Sequence, residues 1–219
     1  WYYFPVLLIA KLPLSVLGLL LIGAITIFRQ QKSATLLKIL IIGGALFLLF
    51  AMTSKANLGV RHVLPIMMMF FIFVGTVAKA SSGMKLASGL LLMMLIISSM
   101  RIFPYPMAYT NSFFGGANNT YQIATDSNLD WGQDLHRIKT YINKNKIKNL
   151  FIEYTWAGQE ALDYYDFDYR PFSSPSDVND GTLIIGTSAY QSREWQWLHS
   201  LTPVDRITPS VFVFNLDNR

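Results

Sequence analysis

The sequence predicts a membrane α-helical region of about four transmembrane helices, followed by a small extracytoplasmic α/β domain. Long apolar runs fill residues 1 to about 104, whereas residues 105–219 have the composition of a water-soluble domain. All thirteen acidic residues follow position 125, so the first hundred residues carry only basic side-chain charges. We therefore divide the chain into residues 1–104, the C-terminal part of a polytopic helical region, and residues 105–219, an α/β domain.

The apolar runs predict four helices that cross a bilayer, because roughly 20 apolar residues are needed for one crossing. These runs are apolar on every side, whereas helices of soluble proteins carry a polar face. Near the start of the first run, Pro13 predicts a kink, and Lys11 is expected to extend its ammonium group to the membrane surface. The four predicted spans are Val6–Phe28, Leu36–Met52, Val63–Ala78 and Leu86–Phe103.

Basic residues predict the orientation of these helices. Arg29, Lys32 and Lys38 lie between the first two spans, and Lys79 and Lys85 lie between the last two. Cytoplasmic loops are enriched in such residues, so both loops are expected in the cytoplasm and the C-terminal domain outside it. The sequence thus predicts a multi-pass protein of the plasma or inner membrane. The net charge of +5 flanks the spans and does not indicate nucleic-acid binding.

Arg61 and His62 are adjacent at the start of the third predicted span, with Pro65 in its first turn. Two interpretations remain open for this pair. In the first, Arg61 is an ordinary interfacial anchor. In the second, the pair binds an anion, because guanidinium offers a fork of donors to phosphate and a helix N-terminus adds backbone N–H groups.

In the soluble half, a helix is predicted from Asp130, with Gln133 placed as in a capping box. Its apolar residues recur on one face, and it is expected to end at Asn145 or Lys146. Strands are predicted to start at Leu150 and to cover the ranges 182–186 and 211–214, with a Trp-rich helix over 192–201 between the last two. This order of helices and strands predicts a small α/β domain with a largely parallel sheet.

The segment from Asp126 to Asp134 is acidic and is the most distinctive part of the soluble half. Asp126, Asn128 and Asp130 have the alternating spacing of a calcium loop. However, Gly132 stands one place late, and the closing position holds Arg137 instead of Glu, so a divalent metal site is not favoured. No cofactor is firmly implied.

Two other interpretations of this segment remain open. It has a structural role if Asp130 caps the helix, Asp134 complements the helix dipole and Asp126 orders the loop. Alternatively, its acidic residues line a surface that faces a sugar or a lipid, where tryptophans stack on sugar rings. The tryptophans available for such stacking are Trp131, Trp156, Trp195 and Trp197.

The sequence lacks the residues that several other kinds of chemistry require. The chain has no Cys, which excludes disulfides and thiolate metal sites. It has no Ser-His-Asp order, no phosphate-binding glycine loop and no zinc motif. None of the three histidines, His62, His136 and His199, is spaced from another as metal ligands are.

Two strings, Gly59-Val60-Arg61-His62-Val63-Leu64-Pro65 and Asp126-Ser127-Asn128-Leu129-Asp130-Trp131-Gly132-Gln133-Asp134-Leu135, resemble the C-terminal part of phospholipid-carrier-dependent glycosyltransferases. These belong to the membrane GT-C superfamily, with the protein O-mannosyltransferases and aminoarabinose transferases. The segments Tyr3-Phe4-Pro5, Lys11-Leu12-Pro13-Leu14 and Ser210-Val211-Phe212-Val213-Phe214 are also similar. The resemblance covers nearly the whole chain, and its most specific element is the string from Asn128 to Asp134.

The resemblance implies an enzyme that moves a sugar from a polyprenyl- or dolichyl-phosphate donor to an unknown acceptor at the outer membrane face. It implies that Arg61 and His62 bind the donor phosphate. In this family the catalytic carboxylate lies in an early outer loop, so the base is expected upstream and this chain is expected to be an incomplete C-terminal fragment. The residues assigned to the outer-domain motif are Asp126, Asn128, Asp130, Trp131, Gln133 and Asp134.

Two alternative functions belong to classes other than enzymes. One is a non-catalytic, membrane-anchored extracytoplasmic domain for binding or assembly. The other is a transporter, which is less favoured because the predicted spans contain almost no internal polar residues.

Overall fold

The computed structural model describes residues 2–30, 34–54, 59–155 and 157–217. The chain forms two compact units, residues 1–116 and 117–219. The boundary falls later than the predicted residue 104, because the loop after the last long helix packs with the helices. Lys32, one of the basic residues between the first two predicted spans, and Trp156 lie outside the described residues.

The first unit is built from five α-helices in the described ranges. Their bounds are α1 Tyr3–Lys11, α2 Leu14–Gln30, α3 Ala34–Met52, α4 Leu64–Gly75 and α5 Ser82–Ile102. Short 3₁₀ turns at Val60–Val63 and Thr76–Lys79 extend α4 at both ends. Close packing of α2 on α4 depends on Gly23, where a Cβ atom would lie 3.1 Å from the carbonyl oxygen of Phe73.

Among the described residues, two helices are long and apolar enough to cross a membrane, Val60–Lys79 and Ser82–Ile102, and a third counts if α1 and α2 are one broken span. The predicted third and fourth spans coincide with these two helices. The predicted second span lies in α3, and the part of that helix whose side chains are continuously described, Lys38–Met52, is apolar but shorter than the two spanning helices. Four full spans are therefore more than the described helices provide by length and composition.

The first predicted span, Val6–Phe28, is not one kinked helix. It is two helices, α1 and α2, which meet at an angle of 102°. Leu12 is extended, with φ −81° and ψ 132°. The physical reason is Pro13, which has no N–H to donate and disfavours helical conformation in the residue before it.

The second unit is a four-stranded sheet with helices on both faces. The strands are β1 Leu150–Glu153, β2 Thr182–Gly186, β3 Asp205–Thr208 and β4 Val211–Asn215, in the spatial order β1-β2-β4-β3. The remaining helices are α6 Thr120–Ile123, α7 Leu135–Asn145, α8 Gln159–Tyr164 and α9 Thr187–Tyr190, with a 3₁₀ helix at Arg193–Ser200. The predicted end of α7 is confirmed, and Lys146 follows it in the left-handed conformation.

The largely parallel sheet is a wrong prediction. Only β1 and β2 pair in parallel, whereas β4 pairs antiparallel with both β2 and β3. The crossover that follows β2 does lead to a strand of the same direction, β3. The turn after Thr208 then reverses the chain, and β4 inserts between β2 and β3.

Alternate residues of the strands form two separate cores. Ile152 and Ile184 face one core, which includes Ile138 of α7. Phe151 and Phe212 face the other, which is closed by residues of the 3₁₀ helix that follows α9. The period of two along each strand explains this division, since successive side chains point to opposite faces of a sheet.

Candidate functional sites

The acidic segment forms one compact loop that leads into α7. Asp126 begins it in the left-handed region, at φ 57°, and its backbone N–H donates to Oγ of Ser188 over 3.1 Å. Asn128 is buried and donates from Nδ2 to the carbonyl oxygen of Thr125. The loop is therefore fixed against the segment that follows β2.

Asp130 lies inside this loop and is almost fully buried. Its Oδ1 accepts hydrogen bonds from the Tyr154 hydroxyl, at 2.5 Å, and from the Gly132 N–H, at 2.8 Å. Its Oδ2 is buried and has no hydrogen-bond partner among the described residues. Burial raises the pKa of Asp130 from 3.8 to about 6, and the Tyr154 hydrogen bond opposes that rise.

Asp134 is equally buried and makes a second set of bonds. Its Oδ1 pairs with Arg137 at 2.9 Å. Its Oδ2 accepts from the hydroxyls of Thr208, at 2.8 Å, and Ser210, at 2.5 Å. The carboxylate thus connects the start of α7 to the turn between β3 and β4.

The prediction that Asp130 caps the helix is wrong. The helix begins at Leu135 and its N-cap residue is Asp134, which makes no side-chain capping bond. Gln133 does not form a capping box either, because its Oε1 accepts from the N–H of Trp131 and its Nε2 donates to the carbonyl oxygen of Leu129. Burial explains the difference, since both carboxylates are engaged with the sheet instead of the exposed helix end.

The tryptophans named as stacking platforms are placed very differently from one another. Trp131 is 48% exposed, at the tip of the acidic loop. Trp195 is 2% exposed and packs edge-on against Phe172, so it belongs to the core. Trp197 packs at the margin of the same core. Among the described tryptophans of this unit, Trp131 has the ring most open to a ligand.

A separate cavity of about 310 Å³ opens beside the end of β1. Glu153 and Glu194 line it together with the aromatic rings of Tyr169 and Phe172. The pKa of Glu153 is raised, first by burial and then by the negative charge of Glu194. Carboxylates beside aromatic rings are suited to bind hydroxyl-rich or cationic molecules. No sequence motif marks this pair, because the two glutamates are far apart along the chain.

Arg61 and His62 lie side by side in the first unit, as predicted for the start of an apolar helix. They occupy the 3₁₀ turn Val60–Val63, which Gly59 enters at φ 91°. Val63 is fully buried in a cluster with residues of α1, whereas the side chains of Arg61 and His62 are exposed. The turn therefore presents both basic side chains together at one end of the helix Val60–Lys79.

The break between α1 and α2 is contacted by a buried polar residue, Asn111, for which the sequence predicted no role. Asn111 is 2% exposed, and its Nδ2 donates to the carbonyl oxygens of Ile9 and Leu12, at 2.7 and 3.0 Å. Lys11, expected to reach the membrane surface, donates from Nζ to the carbonyl oxygen of Met107 at 2.8 Å. The loop thus provides partners at the break, where a helix end leaves carbonyl groups unbonded.

The described residues contain no group of three or more His, Cys, Asp or Glu side chains placed to hold a metal ion. Arg61 with His62 and the acidic loop belong to different units. Comparisons with protein-family models, with curated proteins and with solved structures find no match to this chain.

Proposed function

We propose that this chain is the C-terminal part of a membrane glycosyltransferase that uses a sugar linked to a polyprenyl or dolichyl phosphate. The observation that carries the proposal is the exposed pair Arg61 and His62 at the start of an apolar helix, in a unit without any Asp or Glu. The resemblance of the two sequence strings to GT-C enzymes supports it. In the proposed topology, this end of the helix and the second unit lie on the outer face of the membrane.

In the proposed reaction, a hydroxyl group of the acceptor attacks the anomeric carbon of the sugar. The bond between that carbon and the phosphate oxygen breaks, and its electron pair remains on the lipid phosphate. Arg61 stabilises the developing negative charge through its planar pair of N–H donors, and His62 adds a further donor. The proton of the acceptor passes to a carboxylate, which lies outside residues 1–125 because these contain none.

The substitution Arg61→Lys tests this role, because lysine retains the charge and loses the planar fork. The protein in its native membranes is assayed with a panel of polyprenyl-phosphate sugars. We expect at least a tenfold loss of transfer in Arg61→Lys and a smaller loss in His62→Gln, with normal membrane insertion. Arg29→Lys is the matched control, since Arg29 is an exposed arginine in the last turn of α2.

Nearly unchanged turnover in both Arg61→Lys and Arg61→Gln would remove the phosphate role. Lysine replaces arginine freely where the side chain only anchors a helix at the membrane surface. An equal loss in the Arg29→Lys control would likewise remove it, because the defect would then not be specific to the Arg61 turn.

A second candidate function is a non-catalytic binding domain, and the cavity beside Glu153 and Glu194 favours it. A non-catalytic binding domain would show no sugar transfer in any membrane preparation. Its test is binding of oligosaccharides to the purified protein, with Glu194→Gln as the variant. Weakened binding in this variant, together with absence of transfer at every donor tested, would favour this candidate over the enzyme.

A further inference from the structure

A cavity of about 560 Å³ lies in the first unit, beside the break between α1 and α2. Its walls come from the start of α2, the last turns of α5 and the loop 105–116. Most of the wall is apolar and includes Leu14, Met94 and Ile97. The lining also contains the polar side chains of Ser15, Ser98, Arg101, Tyr109, Thr110 and Ser112.

Ser15 is a buried hydroxyl group in this wall. The residue is 4% exposed, and Oγ has no hydrogen-bond partner among the described residues. A hydroxyl left without a partner costs on the order of 1–3 kcal/mol, and rotation of the buried Oγ toward the cavity would give it an acceptor on a bound molecule. Ser15 also stands in the first turn of the 17-residue helix α2, where the helix dipole favours negative charge, although the N–H groups of Val16 and Leu17 already donate to the carbonyl oxygen of Pro13.

Arg101 provides the charge. It lines the cavity from the last turn of α5, and its side chain is exposed. No carboxylate of the first unit can neutralise it, because residues 1–116 contain no Asp or Glu. Tyr109 adds a donor, since its hydroxyl oxygen accepts from Ser98 at 3.4 Å and its own hydrogen remains for another acceptor.

The ligand that matches these groups is a phosphate carried on an apolar tail. The hydroxyls, the guanidinium and the helix N-terminus all favour an anion. The apolar side of the cavity continues into exposed residues of α5, Met93, Met94, Ile97 and Met100, which suit a hydrocarbon chain. We propose that this cavity binds the phosphate headgroup of a lipid, with Arg101 and the Ser15 hydroxyl as its main contacts.

This site is separate from the one proposed for the donor sugar and does not rest on it. Arg61 does not line the cavity, and Arg61→Lys is therefore expected to leave lipid binding here unchanged. If transferase activity is absent but the lipid still binds in this cavity, the lipid-site proposal stands. If the lipid does not bind but transferase activity is present, the glycosyltransferase proposal stands.

The test uses the full-length protein purified in detergent and native mass spectrometry of the lipids that remain bound. The probes are phosphatidylglycerol, a polyprenyl phosphate, diacylglycerol as a lipid without phosphate, and inorganic phosphate. We expect both phosphate-bearing lipids to bind and diacylglycerol to be lost. Inorganic phosphate is expected neither to bind nor to compete at millimolar concentration, because it lacks the tail.

Two substitutions locate the binding. Arg101→Gln is expected to weaken the binding of phosphatidylglycerol at least fivefold, and Ser15→Ala about threefold. Lys85→Gln is the matched control, because Lys85 is exposed at the opposite end of the same helix and is expected to leave binding unchanged. Arg101 is exposed, so its replacement keeps the test informative even if Ser15→Ala alters the fold.

Three results would overturn the proposal. Equal binding of the wild type and Arg101→Gln would remove the charge contact. Equal retention of diacylglycerol and phosphatidylglycerol would show a purely apolar cavity. Displacement of the lipid by inorganic phosphate would show an anion site that does not require a tail.

Discussion

The hydroxyl of Tyr154 donates a 2.5 Å hydrogen bond to Oδ1 of Asp130, and both groups are buried. Tyr154 directly follows β1, whereas Asp130 lies in the loop before α7. Burial also raises the pKa of Tyr154, and the charge of Asp130 raises it further. The tyrosine therefore remains a proton donor at neutral pH, and the pair fixes the acidic loop to the end of the sheet.

Removal of the tyrosine hydroxyl is expected to raise the pKa of Asp130 above its value of about 6. The hydrogen bond stabilises the charged carboxylate, so its loss in Tyr154→Phe favours the protonated form. The measurement is a pH titration of the Asp130 carboxyl carbon by NMR in the full-length protein. Tyr164→Phe is the control, since Tyr164 is 83% exposed. A pKa that stays constant or falls in Tyr154→Phe would contradict the expected role of the bond.

Asp130 is also expected to make stability fall as the pH rises from about 4 to about 6. In this interval the folded protein keeps a proton on Asp130, because its pKa is about 6, whereas the unfolded chain has released it near 3.8. Deprotonation therefore favours the unfolded chain, by up to about 3 kcal/mol. Above this interval the contribution becomes constant.

This dependence is measured as the difference in unfolding free energy between the wild type and Asp130→Asn at several pH values. The difference isolates the one carboxyl group from all other titrating groups. The wild type is expected to lose unfolding free energy relative to Asp130→Asn as the pH rises from about 4 to about 6. A difference that is independent of pH would mean that Asp130 titrates normally.

Asp134→Asn is expected to destabilise the second unit by several kcal/mol. The substitution removes the ion pair with Arg137 and weakens the acceptor of the Thr208 and Ser210 hydroxyls, and each buried group left unsatisfied costs roughly 1–3 kcal/mol. Hydrogen exchange of α7 and β4 in the full-length protein reports this loss. The matched control is Asp180→Asn, whose half-exposed ion pair with Arg170 is worth about 1 kcal/mol or less. Similar effects of the two substitutions would refute the assigned importance of the buried network.

The basic loops provide a prediction of orientation. The protein has no native Cys, so one cysteine at a time can be introduced and labelled. Ser82→Cys, between Lys79 and Lys85 in the basic loop, is expected to be protected from an impermeant thiol reagent in intact cells. Ser173→Cys, in the second unit, is expected to be labelled. The reverse pattern would place the second unit in the cytoplasm and remove the proposed outer-face chemistry.

Asn111→Ala is expected to destabilise the first unit by about 2–5 kcal/mol. The substitution leaves the carbonyl groups of Ile9 and Leu12 without the side-chain amide that now donates to both. Thermal unfolding in detergent measures the loss. Asn118→Ala is a control within the second unit, where Asn118 is exposed. An unchanged melting temperature in Asn111→Ala would show that solvent or lipid headgroups replace the lost donors.

Local patterns in the sequence predicted the elements that depend on local spacing. The end of α7 and the strand at Thr182–Gly186 follow from apolar periodicity and are confirmed. The strand Asp205–Thr208 was missed because, unlike the other edge strand β1, its residues are largely exposed or half-buried. An edge strand needs no continuous apolar run, and its sequence therefore resembles a loop.

The site was less predictable, because its contacts join distant parts of the chain. Asp130 and Asp134 were recognised as a pair of acidic residues at a helix start, where capping is the usual role. Their hydroxyl partners, Tyr154, Thr208 and Ser210, are 20 or more positions away. Only the folding of the sheet brings these hydroxyl groups to the carboxylates, and no local pattern encodes that approach.

The hydrogen bonds of Asn111 also determine where the two units can be separated for expression. Its backbone N–H donates to the carbonyl oxygen of Ala10, in addition to the two side-chain bonds. Hydropathy places the end of the membrane part near residue 104. A truncation there would remove these donors from the C-terminal end of α1 and would destabilise the first unit by several kcal/mol wherever lipid excludes water. Expression of either half on its own should therefore use a boundary between Gly116 and Ala117, which leaves the donors with the helices that they complete.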